Sequence, residues 1–530
     1  STSSLIDIKE GNTLYIDNCN IDQYDESGFL KFTSHISEEN IKITICSSIF
    51  NNKRSKQQTL TNLISIDQSN KNSRIDSLNI FDCIFNNISM DKDNFIFNVN
   101  VDSIQFTNNK ISNSPSSKNK NPFYFKNCKM DEILIDSCFL NNSLISLSST
   151  MSIKTTIADT KYDENHSPEN SETMFVSSSN EFICERCSFI FNPPNNINYR
   201  AILIDSSSTA TITDTKFKNC WGASSIDGHG ICSINPSSEG NTLTISSCTF
   251  EECGNYRSVV YTENNKVIFI NNTITFENND NGATGLLINS ICELLVDDSK
   301  FYKCYHSEEE GHQGGGIEYR NPEKDLPLES ITIQNCEFEN CNGRACAMSL
   351  SPRYAKPSII NVIISHSQCS YTLMIMITAT SSQATSGEVL FQNTTFLDIT
   401  NLESGCGCGL WYSTTTDNDT LSFIDCKFED TFVNGDDIYR FGGGGIGIEH
   451  DDCSNYHIII SGCSFYNCRS LMYAGGGIAI KTSKTVTITN CFFDKTIAEA
   501  DMSHRPNKGA VICIRYIEDT GPCIMNNLTI

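Results

Sequence analysis

The stretch ITIQNCEFENC at residues 331–341 returns, with substitutions, along almost the whole chain, and a chain made by repetition at this length folds in few ways. Ile331 and Ile333 alternate with polar residues before Gln334 and Asn335, and Cys336 and Phe338 alternate after them. A period of two is the strand period, so the segment reads as a short strand, a bend and a second short strand. Such a unit cannot bury its apolar face alone. LTISSCTFEEC at 243–253 and IIISGCSFYNC at 458–468 are near copies, while ATITDTKFKNC at 210–220 and LLVDDSKFYKC at 294–304 put Thr or Ser in place of the first Cys.

Aligning on Phe338 gives Ile21, Phe50, Phe85, Phe106, Leu140, Tyr162, Phe189, Phe217, Phe250, Ile274, Phe301, Phe338, Cys369, Phe396, Phe428, Phe465, Phe493 and Ile530, eighteen units spaced by 21 to 37 residues. Variable spacing around a fixed frame means that the loops differ and the strands do not. Two or three short strands per repeat, each stacked on the strand one turn earlier, make a parallel β-helix. The leucine-rich pattern and the 3.6-residue period of helical repeats are both missing. The expectation is all-β: one elongated right-handed parallel β-helix over 1–530, about eighteen coils and roughly 85 Å long at the usual strand spacing. Residues 1–150 read as looser Asn- and Ser-rich coils, and 210–530 as coils with an added glycine motif. Phe250, Phe301, Phe338, Phe428 and Phe465 are expected in one buried column.

That glycine motif is GHGICSI from Gly228, GGGIEYR from Gly314, GGGGIGIEH from Gly442, GGGIAIK from Gly475 and GAVICIR from Gly509. Each run precedes a copy of the frame. Glycine there reads as a tight corner needing positive φ and close backbone approach. A phosphate-cradling loop would need a helix to follow, and an alternating β segment follows instead.

The net charge of −25 removes the electrostatic basis for binding nucleic acid or an anionic membrane. Cations, basic polymers and neutral glycans remain as partners, and the charge also serves simply to keep a long surface soluble. No window is apolar for the length of a membrane span; the richest, 373–377, is far too short. The chain starts at Ser1 without a signal peptide and stops at Ile530 inside a copy of the frame, which reads as a processed start and a longer gene product.

The 26 cysteines cluster at two places in the frame. Cys19, Cys83, Cys138, Cys187, Cys248, Cys336, Cys426, Cys463 and Cys491 take the bend; Cys220, Cys253, Cys304, Cys341 and Cys468 come three residues after the aromatic. Either they form disulfides between turns in an oxidising compartment, or they are small reduced core side chains. Residues in register on successive turns lie about 4.8 Å apart, within disulfide reach, so the expected bonds are Cys220 with Cys253 and Cys304 with Cys341. The alternative within one turn pairs Cys248 with Cys253 and Cys336 with Cys341. Sequons at Asn87, Asn141, Asn165, Asn271, Asn393, Asn418 and Asn527 are glycosylation candidates, although a chain this rich in Asn, Ser and Thr supplies as many by chance.

Glycine-rich G-G-x-I segments alternating with F-x-x-N, as at 106–109 and 189–192, or closed by Cys as at 217–220, resemble the repeats of chlamydial polymorphic membrane proteins and of β-helix surface proteins of trichomonad-type protists. The resemblance implies a β-helix displayed outside the cell. It does not fix a function, because adhesins, tailspikes and polysaccharide enzymes share such repeats. The chlamydial proteins end in a membrane barrel, whose pattern is not found here.

A pectinase-like hydrolase or lyase is the alternative on the same scaffold. Gly228-His229-Gly230 and Gly435-Asp436-Asp437 resemble fragments of polygalacturonase motifs, but in the wrong order and, at about seven turns, roughly 30 Å apart, too far for converging carboxylates. Lys508 and Arg515 have only Glu518 and Asp519 nearby, short of the acidic cluster a lyase would use for Ca²⁺. The histidines show no zinc spacing. Cys184-Glu185-Arg186-Cys187 is a lone C-x-x-C on a strand rather than at a helix N-terminus, so nothing marks it as reactive. The sequence therefore points to a non-enzymatic extracellular or cell-surface structural β-helix: an adhesin stalk, cell-coat component or filament subunit. No cofactor or metal is expected. The expected partners are a second copy docked end to end, or a cell-surface protein or glycan.

Overall fold

The computed structural model describes residues 6–8, 13–23, 30–33, 41–52, 64–67, 75–86, 101–112, 123–124, 129–141, 145–146, 151–163, 172–177, 180–191, 199–205, 208–220, 231–234, 241–254, 258–276, 283–289, 293–305, 315–320, 330–343, 346–351, 356–369, 375–379, 387–401, 410–414, 419–434, 443–448, 457–471, 475–482, 484–499, 511–516 and 522–530. Among them every regular element is a strand, and no helix is long and apolar enough to cross a membrane. The fold is a parallel β-helix, described as two units, Ser1–Cys253 and Gly254–Ile530.

Both units repeat one coil. A first strand such as Ser330–Gln334 leads through a bend into a three-residue second strand such as Glu337–Glu339. A third strand such as Ile317–Arg320 precedes them in the same coil. In the first unit the first strands pair parallel, coil to coil, from Thr13–Asp17 to Thr242–Ser246. In the second unit the same ladder runs from Lys266–Ile270 to Cys523–Asn526. Among the described residues nine first strands stand in each, matching the eighteen copies of the frame.

The bend is a single residue in the left-handed region. Asn335 (φ 54°) turns the chain between the first and second strands, and Asn340 (φ 53°) turns it again after the second. A side chain with a Cβ branch is strained there, whereas Asn and Asp tolerate it. The first bend is accordingly Asn or Asp in most coils: Asn18, Asp82, Asn108, Asp159 and Asp214 in the first unit; Asn271, Asp298, Asn361, Asn393, Asp425, Asn490 and Asn527 in the second. One left-handed residue also shifts the side-chain phase, so the residue after it points inward like the last inward residue before it.

Inside, the frame aromatics stack. Phe301 and Phe338 are 4.7 Å apart and 3° from parallel, and Phe396, Phe428, Phe465 and Phe493 follow one another at 4.7, 4.9 and 4.7 Å. Phe217 and Phe250 repeat this in the first unit at 4.8 Å. The ring spacing is the strand spacing, so register alone sets the stack. Two assignments differ from the sequence alignment. Ile111, not Phe106, pairs with Phe85 and Leu140; Phe106 lies on a first strand opposite Ile80 and Ile135. Ile364, not Cys369, stands between Phe338 and Phe396.

The glycine runs are also corrected. Gly315, Gly316, Gly443, Gly444, Gly445, Gly475, Gly476 and Gly477 are absent from the positive-φ residues, so only the close-approach half of the expectation holds. A Cβ on Gly316 would sit 2.5 Å from the Phe338 ring; on Gly285, Gly445 and Gly477 it would meet Phe301, Phe465 and Phe493 at 2.7, 2.8 and 3.0 Å. Each glycine makes room for the aromatic of its own coil.

Candidate functional site: the sulfur columns and the asparagine edge

The residue after the first bend is small and buried in nearly every coil. In the first unit the order is Cys19, Ser48, Cys83, Asn109, Cys138, Thr160, Cys187, Thr215, Cys248, a strict alternation of sulfur with a hydroxyl or amide. All of these residues do one job. The Cys138 thiol donates to Asp136 O and to Phe106 O of the preceding coil, both at 3.2 Å, and Cys248 repeats this with Ser246 O (3.3 Å) and Ile212 O (3.6 Å). Ser48, Thr160 and Thr215 hydroxyls donate to the equivalent carbonyls, Cys46 O, Ala158 O and Thr213 O, at 2.7 to 2.9 Å. Several also accept from the coil before: Cys19 N–H donates to Ser48 Oγ, and Cys83 N–H to Asn109 Oδ1. The column therefore calls for a small donor at a carbonyl exposed by the bend, which thiol, hydroxyl and amide all supply.

Burial pushes the Cys83 thiol up to about 11 and those of Cys138, Cys248 and Cys336 to about 12. Thiols this hard to ionise are poor nucleophiles. Most sulfur in the bend column is structural.

Of the expected pairs, Cys220 lies opposite Cys253, and Cys304 opposite Cys341, in register on neighbouring coils. All four are buried free thiols in this structure. Cys248 and Cys253, and likewise Cys336 and Cys341, stand at opposite ends of a three-residue strand. Two sulfur features are absent from the sequence reading. Cys184 and Cys187 are both buried and in contact, because left-handed Arg186 (φ 52°) turns the second inward beside the first. Cys346, outside both frame positions, is disulfide-bonded to a residue whose side chain is not described.

The bend residues themselves face outward and link the coils. Asn361 Nδ2 donates to Asn335 Oδ1 (3.0 Å) and Asn393 Nδ2 to Asn361 Oδ1 (2.8 Å); elsewhere Asn108 donates to Asp82 and Asn527 to Asn490. Arg186 grips Asp159 with two hydrogen bonds of 2.8 Å, which hold the Asp159 carboxyl below its ordinary value. Three sequon asparagines, Asn271, Asn393 and Asn527, occupy this exposed edge. The conformation itself selects Asn there, and the strand that follows suits Thr, so the coil alone accounts for these triplets. Asn141 ends the second strand Phe139–Asn141, while Asn87, Asn165 and Asn418 lie outside the described residues.

Two buried carboxylates have cations of their own. Glu318, 3% exposed, accepts from Arg320 Nε at 2.5 Å. Asp419, fully buried, accepts from Lys356 Nζ at 2.6 Å across two coils. Between them lies Gly387, where a Cβ would meet Lys356 Cγ at 2.7 Å, so a glycine there lets the lysine stem pass. His229, Asp436, Asp437, Lys508, Glu518 and Asp519 lie outside the described residues, and Arg515 is on Ile512–Tyr516. Among the described residues no three His, Cys, Asp or Glu side chains converge as metal ligands would. No family model matches this chain, and no curated protein matches it.

Proposed function

We propose that this protein is a non-enzymatic structural β-helix of the extracellular space or cell surface, working as a stalk or coat element that meets a surface protein or glycan through its loops. The observation that carries the reading is how the polar groups of the coil are used. Bend amides, buried thiols and hydroxyls, and cations such as Arg186 and Lys356 satisfy polar groups of nearby coils, which is how a scaffold uses them. The Cys346 disulfide fits an oxidising compartment.

Labelling intact source cells with a membrane-impermeant amine-reactive biotin tests the location. Recovery of the chain in the labelled fraction is expected; recovery only after lysis overturns the reading. Incubation with polygalacturonate and other acidic glycans tests the non-enzymatic part. No reducing ends or unsaturated products are expected, and product lost on Asp436→Ala and Asp437→Ala would establish the enzyme instead.

A further inference from the structure

In the second unit the alternation of the bend column breaks down. Cys426, Cys463 and Cys491 precede Lys427, Ser464 and Phe492, which are register partners in that order, so three sulfurs occupy consecutive coils. The backbone fixes the steps between them: Ser464 N–H donates to Cys426 O and Phe492 N–H to Cys463 O, each at 3.0 Å. The three side chains are 1%, 1% and 2% exposed. Cys336, in the same column and unit, stands between Ser299 and Val362 and has no sulfur next to it there.

A coil step of about 4.8 Å lies within the Cα separation a disulfide accepts. Exchange between thiol and disulfide puts the attacking, central and departing sulfurs in one line. A column of in-register residues supplies that line without moving the backbone. In the reduced row each thiol donates to the carbonyl two residues before it, Ile424 O and Ser461 O at 3.5 Å and Thr489 O at 3.2 Å, so the three sulfurs sit in equivalent places on successive coils.

We propose that Cys426, Cys463 and Cys491 form one oxidation site that holds a single disulfide, always including Cys463, and that this bond exchanges between the two flanking sulfurs. The oxidant is a small disulfide of the glutathione class. Cys426 thiolate attacks one glutathione sulfur and expels the other as thiolate. Cys463 then gives up its proton and attacks the Cys426 sulfur, releasing the second glutathione. Two protein thiols become a disulfide while one glutathione disulfide becomes two thiols. In the exchange step Cys491 loses a proton and attacks Cys463, and Cys426 leaves and takes up a proton, with no net oxidation. Cys426 starts the sequence because the Cys463 thiol beside it holds its own thiol below the ordinary value, in contrast to the raised thiols of Cys138 and Cys248. The site goes beyond the structural reading and stands whether or not the chain reaches a cell surface.

The test is to incubate the full chain with oxidised glutathione in dilute urea, which opens the coils transiently. Free thiols are then trapped with N-ethylmaleimide under denaturing conditions, and unreduced peptides are mapped by mass spectrometry. Linked peptides joining Cys426 to Cys463 and Cys463 to Cys491 are expected, with one alkylated thiol of the three left per molecule. Cys463→Ser should trap Cys426 as its mixed disulfide with glutathione and leave Cys491 alkylated, and Cys491→Ser should leave only the first bond. Serine occupies this column at Ser48 and Ser299, so both variants keep the donor the bend uses. Three alkylated thiols in the wild-type chain, a bond between Cys426 and Cys491, or a bond from Cys463 to any cysteine outside the row overturns the proposal.

Discussion

Two neighbouring coils of the second unit solve one packing problem in opposite ways. In the coil of Phe338 the third strand is preceded by Gly316, whose missing Cβ leaves room for the ring. In the next coil the register partner of Phe338 is Ile364, and the residue opposite Gly316 is Ala347. Val259 and Ile274 repeat the second arrangement in another coil. The backbone is the same in all of them. In these neighbouring coils a large residue on one wall stands against a small one on the other, so the pair fills the interior between them. Gly316 therefore serves packing as well as close backbone approach, since an added Cβ would meet both the Phe338 ring at 2.5 Å and Ala347 O of the next coil at 2.6 Å.

The largest predicted effect removes the large member. Phe338→Ala deletes a buried ring stacked on Phe301 and should cost about 3–5 kcal/mol in urea unfolding, with Ile364→Ala costing less, within about 2–5 kcal/mol, because the side chain it deletes is smaller. A smaller cost at Phe338 than at Ile364 would break the comparison. The next effect overfills a coil. Ile364→Phe beside Ala347 should destabilise by about 1–3 kcal/mol, and adding Ala347→Gly should recover most of it, since the pair then copies Phe338 and Gly316. Failure of the glycine to rescue would mean that volume is not what the coils share.

The smallest effect lies outside the core and separates it from the edge. Arg186 lowers the Asp159 carboxyl in the folded state, so its contribution is fully present above the unfolded value near 3.9 and is lost as pH falls through the depressed folded value. The stability gap between wild type and Arg186→Met should be small at neutral pH and close below about pH 4. A gap that widens on acidification would contradict the assignment. Core variants such as Phe338→Ala should show no such closure.

Much of this fold was legible because strand period, bend and aromatic fall within eleven residues, as in 331–341. The phase of a coil was harder to read. Phe106 is followed by Asn109 and so mimics the frame, but Asn108 is the left-handed residue, and the side chain that belongs in the column is Ile111. Cys369 misled in the same way: it follows left-handed His366 by three residues, as Phe338 follows Asn335, although the first bend of its coil is Asn361. The glycine runs could not be explained locally, since Gly316 answers to Phe338 on another wall of the coil. For the sulfurs, sequence gave the columns but not the hydrogen-bonding role, which depends on a carbonyl exposed by the bend. Nor could it show that left-handed Arg186 brings Cys184 against Cys187.

The central claim is that the repeated motifs serve packing between walls and coils, and a double-mutant cycle at Gly445 and Phe465 tests it most directly. At Gly445 the first atom an added Cβ would meet is Phe465 Cδ1, at 2.8 Å. Gly445→Ala alone should cost about 1–3 kcal/mol by overfilling. Phe465→Ile alone should cost a comparable amount, about 1–3 kcal/mol, through the cavity it leaves. The double variant, which reproduces Ala347 with Ile364, should be more stable than the sum of the two by at least about 1 kcal/mol, the coupling expected of residues in contact. Strict additivity of the two changes would contradict the account.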